Sequence, residues 1–129
     1  MRGLATAFCV VLVVAAWALP AGRMEPYILQ MAGHMDRVQQ ITTSYSAGQL
    51  SWLNAASQLA QVSLATDGTF YQAAMSRGFS REEAHKLYIL AVSAASIRLA
   101  ADGFAEKSHD KMQASVVLNN LAVQLINEE

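Results

Sequence analysis

The sequence predicts an all-α protein: a small antiparallel four-helix bundle, with a short extra helix, that follows an N-terminal signal or anchor segment. Two observations predict this fold. No proline follows Pro26, and apolar residues recur every three or four positions in most segments after it. Glycines divide the same region into lengths typical of bundle helices. We therefore assign residues 1–22 to the N-terminal segment and residues 23–129 to a single helical domain.

The N-terminal segment consists of Arg2 followed by an uncharged run, residues 3–22. A positive start, an apolar middle and a small-residue end are the three parts of a secretory signal. The run is also about 30 Å long as a helix, which is just enough to cross a bilayer. Two interpretations therefore remain open. One is a cleaved signal, which Pro20 favours, and the other is a retained membrane anchor. Either one places the rest of the chain outside the cytosol, in the periplasm or a secreted space.

Composition limits the classes of function. The only cysteine, Cys9, lies inside the apolar run, so the helical domain has no disulfide of its own. Nine Lys and Arg residues stand against ten Asp and Glu residues, and no basic run occurs. Nucleic-acid binding requires a concentrated positive surface, so we predict no nucleic-acid partner.

The first two helices are predicted from periodicity and from glycine. One face of the first helix is apolar, and Pro26 and Gly48 suit its two ends. That face consists of Ile28, Met31, Met35, Val38, Thr42 and Tyr45. The second helix is expected over residues 49–66, with a stripe formed by Leu50, Leu53, Ala60 and Leu64. Asp67-Gly68 is expected to end it, and residues 69–77 form the short extra helix, closed by Gly78.

The third helix has the clearest start in the chain. Ser80 and Glu83 have the spacing of a capping box, and Phe79 precedes them as a hydrophobic staple. Asp102-Gly103 is expected to end this helix. The fourth helix is expected over residues 104–127, with an apolar side that includes Met112, Val116, Leu121 and Leu125.

The third helix is apolar almost all round, since Arg98 is the only charge between Leu87 and Ala101. Such a helix is either central or covered by something else. Two interpretations stand: the short extra helix packs over it, or it presents a surface to a partner. The second interpretation makes an interaction surface of Leu87, Leu90, Ala94 and Ile97, with Arg98 as an orienting group.

Metal chemistry is considered because Glu-x-x-His, a motif of di-iron bundles, occurs twice. Glu82 and His85 form one copy, and Glu106 and His109 form the other. Both copies lie in first turns, so antiparallel neighbouring helices would hold them about 24 Å apart. Acidic residues in a first turn are explained by the helix dipole. We predict no metal site from these motifs.

Two further constellations are weak. Met31, His34 and Met35 offer ligands for Cu(I), but both methionines belong to the apolar face of the first helix. Ser108, His109 and Asp110 are adjacent, so their side chains point in different directions and cannot converge as a triad. The sequence therefore predicts no catalytic residue, no metal and no cofactor.

The function predicted from these observations is that of an exported binding or adaptor protein that acts through a helical surface and is not an enzyme. Its partner is another protein or a second copy. One alternative is a membrane-anchored accessory subunit, with residues 3–22 in the bilayer. A second alternative is a carrier of a small ligand or a metal.

Overall fold

The computed structural model describes residues 24–76 and 78–128, which form four α-helices and, within these ranges, no strand. The helices are α1 (Glu25–Ser46), α2 (Trp52–Ala74), α3 (Arg81–Glu106) and α4 (His109–Asn127). The predicted all-α bundle is therefore confirmed. The predicted signal or anchor, residues 1–22, lies outside the described residues.

Side-chain caps fix three of the helix starts. Ser51 accepts a hydrogen bond from the Asn54 backbone N–H and begins α2. Ser80 and Glu83 form the predicted capping box at the start of α3, in which each side chain accepts from the backbone N–H of the other residue. Ser108 caps α4 by accepting from the Lys111 N–H. At the other end of α1, Gly48 has the positive φ of 77° that glycine adopts without strain.

The predicted stop at Asp67-Gly68 is wrong, because α2 continues through it to Ala74. Residues 69–74 are therefore the last turns of α2 and not a separate short helix. An interior glycine costs a helix only about 1 kcal/mol. The last turns of α2 offset that cost, since Thr69 and Ala73 are buried and Thr69 bonds to α1.

The predicted boundary at Asp102-Gly103 is also wrong. Helix α3 runs to Glu106, and Lys107 ends it with a left-handed backbone at φ 55°. Helix α4 consequently begins at His109, not at residue 104. Gly103 serves packing: a Cβ built there would lie 2.9 Å from Met112 Cγ, so a glycine is needed where α4 crosses α3.

Helix α3 is the central helix of the bundle. It packs against α2 on one side and along α4 on the other, with a smaller contact to α1. Helix α4 has its main contact with α3. This arrangement explains why α3 is apolar all round: α4 packs against the side that carries Ser96, and Leu90, Ala94 and Ile97 belong to the core.

Two serines join α3 to α4. Ser96 Oγ donates to the Ser115 carbonyl at 2.8 Å, and Ser115 Oγ donates to the Ser96 carbonyl at 2.7 Å. Both residues are fully buried. A buried hydroxyl needs a partner, and this reciprocal pair satisfies both while keeping the two helices close.

The core lies between α1, α2 and α3. Its largest fully buried side chains are Met24, Ile28, Met31, Met35, Ile41, Leu59, Ile89, Leu90, Ile97 and Phe104. Among the described helices, α3 alone is long and apolar enough to pass a test for a membrane span by length and composition. Its most apolar 18-residue window is 61% buried, as in the core helix of a bundle.

Two of the helix-interior glycines, Gly68 and Gly103, give a matched prediction for stability. Gly68→Ala should raise the free energy of unfolding by about 1 kcal/mol, because alanine is the better helix former and its Cβ meets nothing within 4 Å. Gly103→Ala should lower it by about 1–3 kcal/mol, because its Cβ would overlap Met112. Urea unfolding of dilute protein measures both. Equal effects of the two substitutions would contradict the packing described for α3 and α4.

Candidate functional site

Helix α2 has apolar residues on two opposite faces. Its inner face is made mostly of small side chains: Ala55, Ala56, Leu59, Val62, Ser63, Thr66, Thr69 and Ala73 are buried. Its opposite face is exposed along its whole length. We call this face the outer stripe, and it consists of Leu53, Ser57, Ala60, Leu64, Gly68, Tyr71 and Met75.

The outer stripe leaves four large apolar side chains in solvent. The exposed fractions are 67% for Leu53, 72% for Leu64, 65% for Tyr71 and 64% for Met75. Single exposed apolar residues are ordinary, but several large ones along one helix face are typical of an interaction site. From Leu53 to Met75 the outer stripe is about 33 Å long.

The sequence identified part of this stripe but not its direction. Leu50, Leu53, Ala60 and Leu64 were predicted to share one apolar face. In the structure Leu50 packs against the core, whereas Leu53, Ala60 and Leu64 face outward. The small residues of the opposite face let α2 approach α1 and α3 closely, so that face is the buried one.

A groove of about 280 Å³ runs beside the middle of the outer stripe, between α2 and α3. Helix α2 contributes Ala60, Leu64 and Asp67 to it, and α3 contributes Arg98 and Asp102. The Arg98 side chain is exposed and has no hydrogen-bond or ion-pair partner among the described residues. The groove therefore places charges of both signs next to an apolar ridge.

The interaction surface predicted on α3 is mostly internal. Leu90, Ala94 and Ile97 are only 1%, 4% and 2% exposed and belong to the core, and Leu87 packs against that core. The packing of α3 against the other helices of the same chain is the physical reason. Of the five predicted residues, Arg98 alone is exposed, and it lies at the edge of the groove.

A second concave site lies at the end of the bundle where α1 meets α2 and α3 meets α4. This pocket, of about 430 Å³, is lined by Tyr45, Trp52, Lys107, His109 and Met112. The Lys107 ammonium lies 4.6 Å from the centre of the Trp52 ring, in a cation–π contact. Trp52 Nε1 donates to the Phe104 carbonyl at 3.0 Å, which fixes the ring. The pocket therefore combines an aromatic wall with one exposed lysine.

The residues considered for metal binding and catalysis lie apart. Among the described residues, no group of three or more His, Cys, Asp or Glu side chains could hold a metal ion. His85 contacts the Leu125 carbonyl near the end of α4, whereas His109 begins that helix. Met31 and Met35 are buried in the core. Ser108 is used as the cap of α4.

His34 is the partly buried histidine between α1 and α2. Its Nε2 lies 2.9 Å from Thr69 Oγ1, which also donates to Gln30 Oε1 at 3.2 Å. Burial lowers the pKa of His34 below its ordinary value, because desolvation disfavours the charged ring. This polar cluster joins α1 to the part of α2 beyond Gly68.

The lowered pKa of His34 predicts a pH-dependent stability. The unfolded chain binds the proton at the ordinary histidine pKa of about 6.5, whereas the folded chain binds it only at lower pH. The contribution of neutral His34 to the free energy of unfolding is therefore fully present above pH 6.5. It is lost as the pH falls through the interval between the unfolded-state and folded-state pKa values. Urea unfolding between pH 8 and pH 5 should show this loss in the wild type and a smaller loss in His34→Gln. An unchanged slope in the variant would exclude His34 as its origin.

These sites must be interpreted from their own geometry, since comparisons with protein-family models, curated proteins and solved structures find no match to the chain. The outer stripe leaves four large apolar side chains in solvent, beside the groove. The stripe and the groove combine an apolar ridge with Asp67, Arg98 and Asp102, which are features of a binding surface.

Proposed function

We propose that the protein is a small helical binding or adaptor protein that works outside the cytosol by presenting the outer stripe to a protein partner. The observation that carries this proposal is the exposure of Leu53, Leu64, Tyr71 and Met75 along one face of α2. Each such side chain gains roughly 1.5–3 kcal/mol on full burial, and the folded chain leaves most of that gain unused.

A protein partner suits the outer stripe better than a lipid surface does. Helices that lie in a membrane interface are rich in Lys and Arg on their polar face. Helix α2 contains neither residue, and Asp67 lies beside its centre. A protein partner can instead match both the apolar ridge and the charges of the groove.

The location outside the cytosol is inferred from Arg2 and the uncharged run that follows it. Retention of this run would make the protein a membrane-anchored accessory subunit, and its removal would release the helical domain. The outer stripe serves as the binding surface in both cases.

The N-terminus of the protein isolated from cells tests this location. We expect cleavage after the apolar run, so that the first residue lies between Leu19 and Gly22. Edman sequencing or intact mass measures it. An intact Met1 on protein recovered from the membrane would favour the anchored subunit. An intact Met1 on protein recovered from the cytosol would contradict export.

Site-specific photocrosslinking tests the binding surface. A benzoylphenylalanine at position 64 should give a discrete covalent adduct in intact cells, because Leu64 is the most exposed large apolar residue of the outer stripe. Position 117 is the matched control, since Val117 is 65% exposed but lies on α4. Gel shift and mass spectrometry of the adduct give the readout. Equal adducts at both positions, or none at position 64, would contradict the proposed function.

A further inference from the structure

The spacing of the outer stripe is the same in both directions along α2. Leu64 is its centre, and the seven residues are spaced by 4, 3, 4, 4, 3 and 4 positions. If a second α2 lay antiparallel across Leu64, each position would meet its mirror position in the other copy. Leu53 would then face Met75 of the second copy, Ser57 would face Tyr71, and Ala60 would face Gly68.

These mirror pairs fit one another in size. The smallest residues, Ala60 and Gly68, flank Leu64 on both sides and allow two backbones to approach there. Ser57 leaves room for the large ring of Tyr71, and Leu53 and Met75 close the two ends with apolar contact. A Cβ built on Gly68 meets nothing within 4 Å inside the described chain, so the space beside it is open to another helix.

The charges of the groove also match under this symmetry. Arg98 and Asp102 of α3 line the groove together with Leu64, the centre of the stripe. A two-fold axis that relates antiparallel α2 helices is perpendicular to both and runs midway between them, so the two α3 helices lie on the same side. This arrangement places opposite charges, Arg98 of one copy and Asp102 of the other, along the same edge of the interface.

We propose that the outer stripe is a two-fold interface, in which a second copy of this chain packs its α2 antiparallel to the first with Leu64 at the centre. This inference rests on the proposed function, because it names the partner of the same surface. One pair of helices gives an interface at the small end of the specific range, below about 1,200 Å² in total. A dimer with a dissociation constant in the micromolar range is therefore expected.

Sedimentation equilibrium of the full-length protein tests the association. The wild type should pass from monomer to dimer as its concentration rises through the micromolar range. Leu64→Asp should weaken the dimer at least tenfold, whereas Val117→Asp, at a similarly exposed position on α4, should not. A wild type that stays monomeric to several hundred micromolar would overturn the proposal.

Gly68→Leu separates specific packing from general hydrophobic adhesion. The substitution makes the stripe more apolar, and it fits the isolated chain because the space at Gly68 is open. If two copies adhered through apolar surface alone, with no defined register, Gly68→Leu would associate more tightly than the wild type. The proposed interface predicts at least tenfold weaker association, because leucine would collide with Ala60 of the second copy. Tighter association of this variant would overturn the proposal.

Cysteine crosslinking tests the register. Cys9→Ser removes the only cysteine, and single cysteines can then be placed in the stripe. Leu64→Cys should form a disulfide dimer under mild oxidation in intact cells. Leu53→Cys should not crosslink to itself, but it should crosslink to Met75→Cys when the two variants are co-expressed. Self-crosslinking of Leu53→Cys as fast as that of Leu64→Cys would indicate a parallel pair and overturn the antiparallel register.

A charge exchange provides the last test. Arg98→Asp should weaken the dimer severalfold, and adding Asp102→Arg to it should restore the affinity. Failure of the double variant to recover would overturn the charge pairing.

Two other outcomes would show that the outer stripe binds something other than a second copy of the chain. Adducts of position 64 with a different protein, from a chain that is monomeric alone, would overturn the dimer and leave the proposed function standing. Leu64-dependent binding to phosphatidylglycerol–phosphatidylcholine vesicles by a monomeric chain would overturn both.

Discussion

The close contact between α3 and α4 is the constraint on which the rest of the structure depends. Ser96 and Ser115 exchange hydrogen bonds across it, and Gly103 lets Met112 approach the α3 backbone. Because α4 packs against α3, no described helix covers the outer face of α2. The position of α4 against α3 therefore explains both why α3 is apolar all round and why α2 has an exposed apolar face.

The start of α3 could be predicted from sequence, whereas the ends of α2 and α3 could not. The capping box at Ser80 is a local signal between a side chain and the backbone three residues away, so it survives any tertiary context. Asp67-Gly68 and Asp102-Gly103 look like local stops but lie inside helices. An interior glycine costs about 1 kcal/mol, and packing beyond each glycine exceeds that amount. The reason for Gly103, its contact with Met112, exists only in three dimensions.

The surface predicted on α3 is mostly internal for a related reason. Periodicity finds apolar faces but does not say which of them is buried. On α2 the small residues went inward, since Ala55, Ala56 and Ala73 allow close packing, and Leu53 and Leu64 were left outside. On α3 both faces were buried, which no pattern within α3 could reveal because α4 supplies the cover. Arg98 was the exception: a single charge in an apolar helix has to reach solvent.

The symmetry of the outer stripe favours a second copy over an unrelated protein. An unrelated partner contacts each position of α2 once, so the residue at one end of the stripe need not fit the residue at the other end. A second copy on a two-fold axis uses every position twice, so the two halves of the stripe must fit each other. Around Leu64, Ala60 would lie opposite Gly68 and Ser57 would lie opposite Tyr71. Leu53 and Met75 would pack against each other at both ends of the interface. The open space at Gly68 leaves room for the backbone of a second α2 beside Leu64.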